Sequence, residues 1–414
     1  MLNVKSVEDV FRILTQEFSE YSLETETVPL LEAAGRVLAR EIVAEEHIPA
    51  FDRSTVDGYA VISRDTSAAC EANPAQLLKG PPVEMGSRPA MNLTPGMACY
   101  IPTGGQLPPG ADGVVMVEQS DDYGDEYIYL RAAAAPGAHI IFAGDDMKKG
   151  ELLFRCGKQI RPADLGVLAA LGVDRVPVKR TLKAGIVVTG DEIVPIDQLP
   201  TGSQVRDINS YVLYGLLKAY HVEAVMYGII GDSCEAIETI ARKALKENDL
   251  LLISGGSSAG EKDETAKVID RLGKPGVLVH GIAVKPGKPT IIGRCGAKAV
   301  LGLPGHPASA LTIATIFVTA LLEAMMGRER TRNLRLRARI RENYPSNSGR
   351  EEYVPAALCR DKHEVWADVL PGTSGQIGFM SRADGYIHIR REQEGLMQGD
   401  CAEVLLAPGA GYDV

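Results

Sequence analysis

Cysteine and histidine are scarce in this chain, which has 7 of each among 414 residues. No CxxC pair is present, and the cysteines are spread along the whole chain. This spacing excludes a disulfide scaffold and a cysteine-based zinc site, and the scattered histidines form no metal-binding box. We therefore predict reduced thiols and a cytoplasmic location. Internal repeats and low-complexity tracts are also absent from the sequence.

Basic residues are also fewer than acidic residues in this chain. The formal net charge is −10 at pH 7, and the sequence pI is about 5.4. This balance argues against general nucleic-acid binding. Any anionic ligand must be held by local cationic groups, since the overall field of the protein repels it.

Long apolar runs are nearly absent, and the most apolar segment is Ala308 to Met326. Pro307 stands where a helix would begin, threonines recur through the segment, and Glu323 lies near its end. These features favour a buried helix of a globular domain and not a membrane span. The first residues, Val4 to Leu14, form an amphipathic pattern with acidic side chains, so we expect no signal peptide there.

The length of the chain predicts two to four domains. Residues Met1 to Ala50 are predicted to be helical, with Ser6 and Asp9 forming an N-terminal cap. Short β-rich runs follow from Ile48, and strand and helix patterns alternate from Ala184 to Leu303. This alternation predicts a parallel, doubly wound sheet with ligands at the carboxyl ends of its strands. The remainder, from Arg328, is predicted to be a small β domain.

The most informative stretch is DLLLISGGSSAGEKDET, from Asp249 to Thr265. A short buried strand leads into a Gly-Ser loop and then into a predicted helix. Glycines let the backbone approach a ligand, and the free N–H groups of a helix start attract anions. The carboxylates just beyond would repel a phosphate unless they hold a cation. The stretch therefore indicates an anionic ligand with a metal nearby, whereas a Gly-Ser loop alone is equally typical of a polar turn.

Four more clusters lie in turn-rich sequence. Two of them, FDRSTVDGYA from Phe51 and TGDE from Thr189, carry carboxylates, and Glu192 and Asp263 would both follow strand ends that face one crevice. The other two, VKPGKP from Val284 and LPGHPAS from Leu303, offer two lysines in a stiff turn and a helix start. Taken singly, these clusters are also typical of capped or exposed turns. We expect a solvent-facing His306, and Asp232 and Asp146 each resemble helix caps.

Together the clusters are far more specific. The chain resembles the molybdopterin molybdenumtransferase family, the MoeA-type proteins to which the gephyrin E domain belongs. The resemblance runs end to end and depends on six motifs in the order of the family: FDRSTVDGYA, IPTGGQLPPGADGVVMVE, VVTGDEIV, ISGGSSAGEKD, VKPGKP and LPGHPASA.

The resemblance implies a multidomain α/β and β fold. Its centre would be a doubly wound α/β molybdopterin-binding domain like that of MoaB and MogA. An α-rich N-terminal and linker domain, a β-rich second domain and a small C-terminal β-barrel-like domain would surround it. The expected boundaries are 1–47 with 138–178, 48–137, 179–327 and 328–414.

The resemblance also implies the reaction. Such proteins insert molybdate into adenylated molybdopterin and release AMP, using Mg²⁺, here on Glu192 and Asp263. They act as homodimers with an active site between subunits, and molybdopterin adenylyltransferase is an expected partner. The implied catalytic positions are Asp57, Thr103, Glu192, Asp232 and Asp263. The implied substrate contacts are Asp146, Ser254, Gly255, Gly256, Ser257, Ser258, Gly260, Lys285, Lys288, Pro304, Pro307, Ser309, Arg350 and Ser374.

The chain departs from the family pattern at three places. The run His139 to Asp146 lacks the arginines that are usual there, Gly231 and Ser233 flank Asp232 where Arg and Asp are usual, and His306 replaces an asparagine. Two alternatives to a molybdenumtransferase therefore remain: a molybdopterin-binding scaffold that has lost its chemistry, or a tungstate-inserting variant. A nucleotide-dependent oxidoreductase is disfavoured because no GxGxxG follows the first strand of the sheet domain.

Overall fold

Three six-stranded sheets organise the part of the chain that the structure describes. The computed structural model describes residues 4–255, 264–328, 335–361 and 364–409. Within those ranges the helices run Val7–Phe18, Pro162–Ala170, Asn209–Ala219, Cys234–Glu247, Glu264–Leu272 and Pro307–Met326. Short 3₁₀ turns occupy Leu30–Ala33, Ser63–Thr66, Val117–Gln119 and Met380–Arg382.

The first sheet, with its helices, is the sheet domain. Its strands lie in the order Glu223–Ile230, Lys183–Thr189, Leu250–Ser254, Lys298–Leu303, Ile291–Cys295 and Pro275–His280. The predicted doubly wound alternation of strands and helices is confirmed, and the predicted parallel direction holds for all but one of these six strands. Ile291–Cys295 runs antiparallel to both neighbours. A tight turn at Gly296 joins it to the next strand, and such a turn connects only antiparallel strands.

Helices cover both faces of this sheet because its buried strands alternate their side chains. Leu250 and Leu252 pack into one core with the helices Val7–Phe18, Asn209–Ala219 and Pro307–Met326. Leu251 and Ile253 pack on the other side, against Cys234–Glu247 and Glu264–Leu272. A strand with both faces buried favours apolar side chains at successive positions, which explains the continuous apolar run Leu250 to Ile253.

The helix Pro307–Met326 is the core element of the sheet domain. By length and composition it is apolar enough to cross a membrane, yet 83% of its most apolar window is buried within the fold. Its residues Ala314–Val318 form a π-helical turn, and Gly327 ends it in a left-handed conformation. The prediction of a buried globular helix is confirmed.

The N-terminal part of the chain packs against the sheet domain through its first helix. Ser6 caps the helix Val7–Phe18 by accepting a hydrogen bond from the backbone N–H of Asp9 at 3.1 Å, as predicted. The prediction of helix through Ala50 is wrong after Phe18, except at the short 3₁₀ helix Leu30–Ala33. Strands Thr25–Pro29 and Ile42–Val43 pair with Arg175–Lys179 and Leu152–Phe154, so two distant stretches of sequence form one unit. Pro29 and the β-branched residues beside it favour an edge strand over a helix.

The second and third sheets build the β-rich parts. The second lies in the order Gly113–Met116, Gly58–Val61, Met97–Ile101, Ala75–Lys79, Tyr127–Leu130 and Ser120–Asp121, and a strand pair joins Arg53–Ser54 to Ile140–Ile141. The third lies in the order Val284–Lys285, Glu351–Asp361, Glu364–Val369, Arg335–Ile340, Cys401–Leu406 and Gly385–Ile389.

The third sheet closes on itself. Glu351–Asp361 also pairs with Gly385–Ile389, so five strands form a small barrel, as predicted. The sixth strand, Val284–Lys285, comes from the sheet domain and joins the barrel through Glu351 and Glu352. The lysine turn of the sheet domain is therefore anchored to the C-terminal barrel. Two further strand pairs join Ile193–Val194 to Val205–Arg206 and Tyr344–Pro345 to Gly395–Leu396.

Candidate functional site

A cleft opens where the parallel strands of the sheet domain end. Lys183–Thr189, Leu250–Ser254 and Lys298–Leu303 are neighbours, so the loops after them meet at one edge of the sheet. The cleft has a volume of about 690 Å³ and is lined by residues from all three loops and from the nearby helix starts. Such a crevice is the usual ligand site of a doubly wound sheet. Its polar and glycine lining includes Thr189, Gly190, Glu192, Asn209, Asp232, Gly255, Glu264, Gly305 and His306.

Gly255 sets the shape of the cleft. Its φ is +111°, a conformation that L side chains rarely adopt. A Cβ atom here would lie 2.1 Å from the backbone oxygen of Thr189, so two strand ends approach too closely for any larger residue. This loop lies where the sequence predicted an anion cradle. Of its predicted contacts, Ser254 and Gly255 are described, whereas Gly256, Ser257, Ser258, Gly260 and the predicted metal ligand Asp263 lie outside the described residues.

Asn209 joins two of the loops, and the sequence analysis missed it. Its Nδ2 donates to Ser254 Oγ and to the backbone oxygen of Gly305, both at 2.8 Å. Ser254 Oγ in turn donates to the backbone oxygen of Pro304 at 3.3 Å. The available signal was the polar run at the helix start, where Asp207 Oδ1 accepts from the N–H of Ser210.

Two buried polar atoms at the cleft have no hydrogen-bond partner in the described part of the chain. These atoms are Thr189 Oγ1 and Asn209 Oδ1. Buried polar groups in native proteins are nearly always paired, so each of these atoms is a candidate contact for a polar ligand or a bound water.

Acidic side chains line one wall of the cleft. Glu192, Asp232 and Glu264 face it, and the N–H of Asp232 donates to Asp191 Oδ1 at 3.2 Å. Burial raises the pKa of Asp232, and the charges of Asp191 and Glu192 raise it further. Mutual repulsion of this kind is relieved when a cation binds between the carboxylates. The described residues alone include no group of three or more side chains positioned to hold a metal ion.

Asp232 does not cap the helix that follows it. The cap is Ser233, whose Oγ accepts from the N–H of Ala236 at 3.3 Å. The carboxylate of Asp232 is therefore available to the cleft, and its interpretation as a helix cap is wrong.

A second cavity, the lysine pocket, lies between the sheet domain and the barrel. It has a volume of about 710 Å³ and contains five of the predicted substrate contacts: Lys285, Lys288, Ser309, Arg350 and Ser374. The lysine turn is held against the long helix, because a Cβ on Gly287 would meet Ile313 Cγ1 at 2.2 Å. Three cationic side chains in one concave site form a suitable binding site for a compact anion.

The start of the helix Pro307–Met326 lies between the two cavities. Pro307 lines the cleft, and Ser309 lines the lysine pocket. His306 Nδ1 lies 2.8 Å from Ser374 Oγ, and the N–H of Ala308 donates to the backbone oxygen of Ser374 at 3.1 Å. His306 is exposed, as expected, but it also joins the sheet domain to the barrel loop. The two cavities are therefore adjacent.

Three predicted residues lie elsewhere in the chain. Thr103 donates to Asp57 Oδ1 from its backbone N–H at 2.7 Å and from Oγ1 at 3.1 Å, in the β-rich unit. The N–H of Asp146 donates to the backbone oxygen of Ile48 at 3.1 Å. These residues are not among the described residues that line either cavity.

Comparisons with known proteins agree along the whole chain. Three family models match in turn: the MoeA N-terminal region (domain I and II) over residues 5–172, the probable molybdopterin binding domain over 185–324, and the MoeA C-terminal region (domain IV) over 337–407. A solved molybdopterin biosynthesis MoeA protein from Pyrococcus horikoshii has a TM-score of 0.85 and 31% identity, covering 98% of this chain and 100% of that chain.

Curated relatives carry the same assignment. A putative molybdopterin biosynthesis protein of Methanocaldococcus jannaschii is 31% identical over 98% of this chain and 98% of its own length. The molybdopterin molybdenumtransferase 2 of Mycobacterium tuberculosis is 32% identical over 88% of this chain and 90% of its own length. The three family models match in order along the chain, the two cavities are adjacent, and these relatives match over most of the chain. The chain therefore belongs to the MoeA family of molybdopterin molybdenumtransferases, which act in molybdenum cofactor biosynthesis.

Proposed function

We propose that this chain inserts molybdate into the dithiolene of adenylated molybdopterin and releases AMP. The observation that carries the proposal is the adjacency of the cleft and the lysine pocket across the start of the helix Pro307–Met326. One cavity has the backbone geometry and acidic wall suited to a phosphorylated ligand with a cation, and the other has the charge suited to an oxyanion. Two substrates bound side by side react as if at high effective concentration.

The cleft would hold the phosphate-containing part of the pterin nucleotide. Gly255 brings backbone close to the ligand, and the buried Thr189 Oγ1 and Asn209 Oδ1 offer polar contacts. Asn209 fixes the Ser254 and Gly305 loops relative to each other, so the site is organised before the ligand arrives. Such organisation lowers the entropy that binding must overcome.

The acidic wall fits a divalent cation. Glu192 and Asp232 both line the cleft, and Asp263 remains our prediction for a further ligand. Carboxylate oxygens are the ligands that Mg²⁺ prefers, usually one or two per ion together with substrate phosphates. When bound, the ion would neutralise charge on the phosphoanhydride. The residues of the chain would hold the phosphates in line with an attacking oxygen, of water or of molybdate, so that the phosphoanhydride bond breaks and AMP leaves.

The lysine pocket would hold the oxyanion. Lys285, Lys288 and Arg350 supply positive charge, and the hydroxyls of Ser309 and Ser374 supply hydrogen bonds. Molybdate and tungstate have the same charge and nearly the same size, so this lining accepts both. The choice between them in the cell stays a prediction, as do the cytoplasmic location and a partner adenylyltransferase.

We further propose that the working form is a homodimer. Asp57 and Thr103 are hydrogen bonded to each other, but they are not among the described residues that line the cavities. A second copy of the chain would supply them to the cleft, where they would orient the pterin. Mixing Asp57→Asn chains with Glu192→Gln chains tests this arrangement. Activity recovered in the mixture supports a shared site, and no recovery contradicts it.

Transfer itself is tested with purified protein, adenylated molybdopterin and molybdate, by chromatography of the AMP released. We expect AMP release that depends on molybdate and is abolished in Glu192→Gln, with unchanged circular dichroism. A folded wild-type protein that binds adenylated molybdopterin but releases no AMP would instead support the scaffold alternative.

A further inference from the structure

One wall of the lysine pocket carries a buried carboxylate. The side chain of Glu352 is 4% exposed, whereas that of Lys285, its ionic partner, is 41% exposed. Lys285 Nζ and Tyr344 OH lie 2.6 Å and 2.9 Å from Glu352 Oε1, and Ser346 Oγ lies 2.5 Å from Oε2. Three donors compensate the cost of burying this charge. No motif in the sequence pointed to Glu352.

Backbone pairing fixes both members of this ion pair. Lys285 and Glu352 are register partners where the strand Val284–Lys285 joins the barrel, and the N–H of Glu351 donates to the backbone oxygen of Ala283 at 3.0 Å. Lys285 comes from the sheet domain and Glu352 from the barrel. The pair therefore has a defined position in the pocket, and it is not a chance surface contact.

The charge of Glu352 works against an anionic ligand. The pocket lining combines the cations Lys285, Lys288 and Arg350 with two carboxylates, those of Glu352 and Glu342. Of these two, only Glu352 is ion-paired to a lysine of the pocket among the described residues. A negative charge at the wall repels a dianion at any distance within the pocket, and in a partly buried site water screens that repulsion only in part. A pocket built only for tight capture would not contain it.

We propose that Glu352 is a positioning residue that moderates the oxyanion pocket. Glu352 holds the ammonium group of Lys285 against the wall of the pocket and offsets the charge of that group. The pocket can then capture a tetrahedral dianion and still release it to the dithiolene of molybdopterin. This inference deepens the proposed function and depends on it. Uniformly tighter binding of a substrate does not speed its conversion, because the ground state is stabilised as much as the transition state.

The test measures oxyanion affinity and turnover separately in Glu352→Gln. Glutamine keeps the size of the side chain and one acceptor oxygen for Lys285 and Tyr344, and its NH2 group can donate to Ser346 Oγ, but it removes the charge. We expect the Kd for molybdate and for tungstate, measured by calorimetry, to fall about tenfold. The kcat of AMP release at saturating molybdate should fall as well. A merely structural role predicts the opposite change in affinity, since a damaged pocket binds more weakly.

The adjacent carboxylate provides a matched control. Glu351 lies on the same strand but bonds His388 Nε2 at 2.6 Å, and it is not among the described residues of the pocket lining. Glu351→Gln should leave oxyanion affinity unchanged. If Glu352→Gln does not fold, the pair Lys285→Gln and Lys285→Gln/Glu352→Gln replaces it. The double variant should bind molybdate about tenfold more tightly than the single variant.

The outcomes separate the two proposals. Absence of oxyanion binding by the wild-type chain would overturn the proposed function, and this inference with it. Wild-type binding with an unchanged or higher Kd in folded Glu352→Gln, or with unchanged kcat, would overturn the inference alone. Equal affinity in the single and double Lys285 variants would do the same.

Discussion

Replacing Gly255 by alanine tests the geometry of the cleft directly. Alanine would be held at a φ of +111°, which costs about 1–3 kcal/mol for a residue with a side chain. Its Cβ would also lie 2.1 Å from the Thr189 oxygen, and overpacking of this kind typically costs a further 1–3 kcal/mol. We therefore expect Gly255→Ala to lower the free energy of unfolding by about 3 kcal/mol. If the loop shifts to avoid the clash, the cost appears instead as weaker ligand binding.

Urea titration followed by circular dichroism measures the first effect, and calorimetry with AMP measures the second. The matched control is Gly305→Ala in the neighbouring loop, where the nearest heavy atom to a new Cβ is 3.6 Å away. Its stability should stay within about 0.5 kcal/mol of the wild type. A Gly255→Ala protein with wild-type stability and wild-type AMP affinity would refute the close approach of the two strand ends.

Three further substitutions follow from the structure. Asp249→Asn should cost about 3 kcal/mol in urea titration, because Asp249 bonds Arg180 and Tyr21. Burial alone would raise the pKa of Asp249, but these hydrogen bonds outweigh burial and hold that pKa below its ordinary value. The stabilisation that Asp249 provides is therefore lost as the pH falls through the pKa of the folded state. A gap between variant and wild type that persists in strong acid would contradict this. Asn209→Ala should weaken AMP binding about tenfold by calorimetry, and unchanged affinity would contradict its role. Gly166→Ala, in a helix with open space around it, should raise stability by about 0.5–1 kcal/mol, and a loss would contradict that helix.

Much of the fold follows from local pattern. The helix that begins at Pro307 and the buried strand Leu250–Ser254 that leads into the Gly-Ser loop both lie where the sequence pattern predicts them. The alternation of strands and helices also fixes which residues lie at the carboxyl edge of the sheet. Each of these features is determined by a short stretch of sequence, so the local pattern of residues is enough to predict it.

The errors arise where partners distant in sequence decide the structure. Thr25–Pro29 becomes a strand because Arg175–Lys179 lies beside it, which no local pattern reveals. The antiparallel Ile291–Cys295 follows from a two-residue connection whose geometry outweighs the surrounding α/β alternation. In both cases tertiary pairing outweighs local propensity.

The residues of the candidate site divide in the same way, into those that local sequence reveals and those that only distant contacts reveal. Lys285, Lys288 and Gly255 stand in motifs with unusual composition, so the sequence singles them out. Asn209 and Glu352 stand in ordinary sequence and acquire their roles only from contacts across units. A helix start and a strand residue of these types occur throughout soluble proteins, so the contacts alone distinguish them.

The central claim is that an oxyanion and a nucleotide phosphate bind in adjacent cavities on either side of the start of the helix Pro307–Met326. A crystal structure of the chain soaked with tungstate, AMP and Mg²⁺ tests it most directly, because tungsten is located by its anomalous scattering. The account predicts tungstate beside Lys285 and Lys288, with the AMP phosphate beside Gly255. Tungstate bound away from these lysines, or AMP bound away from the strand ends, would contradict it.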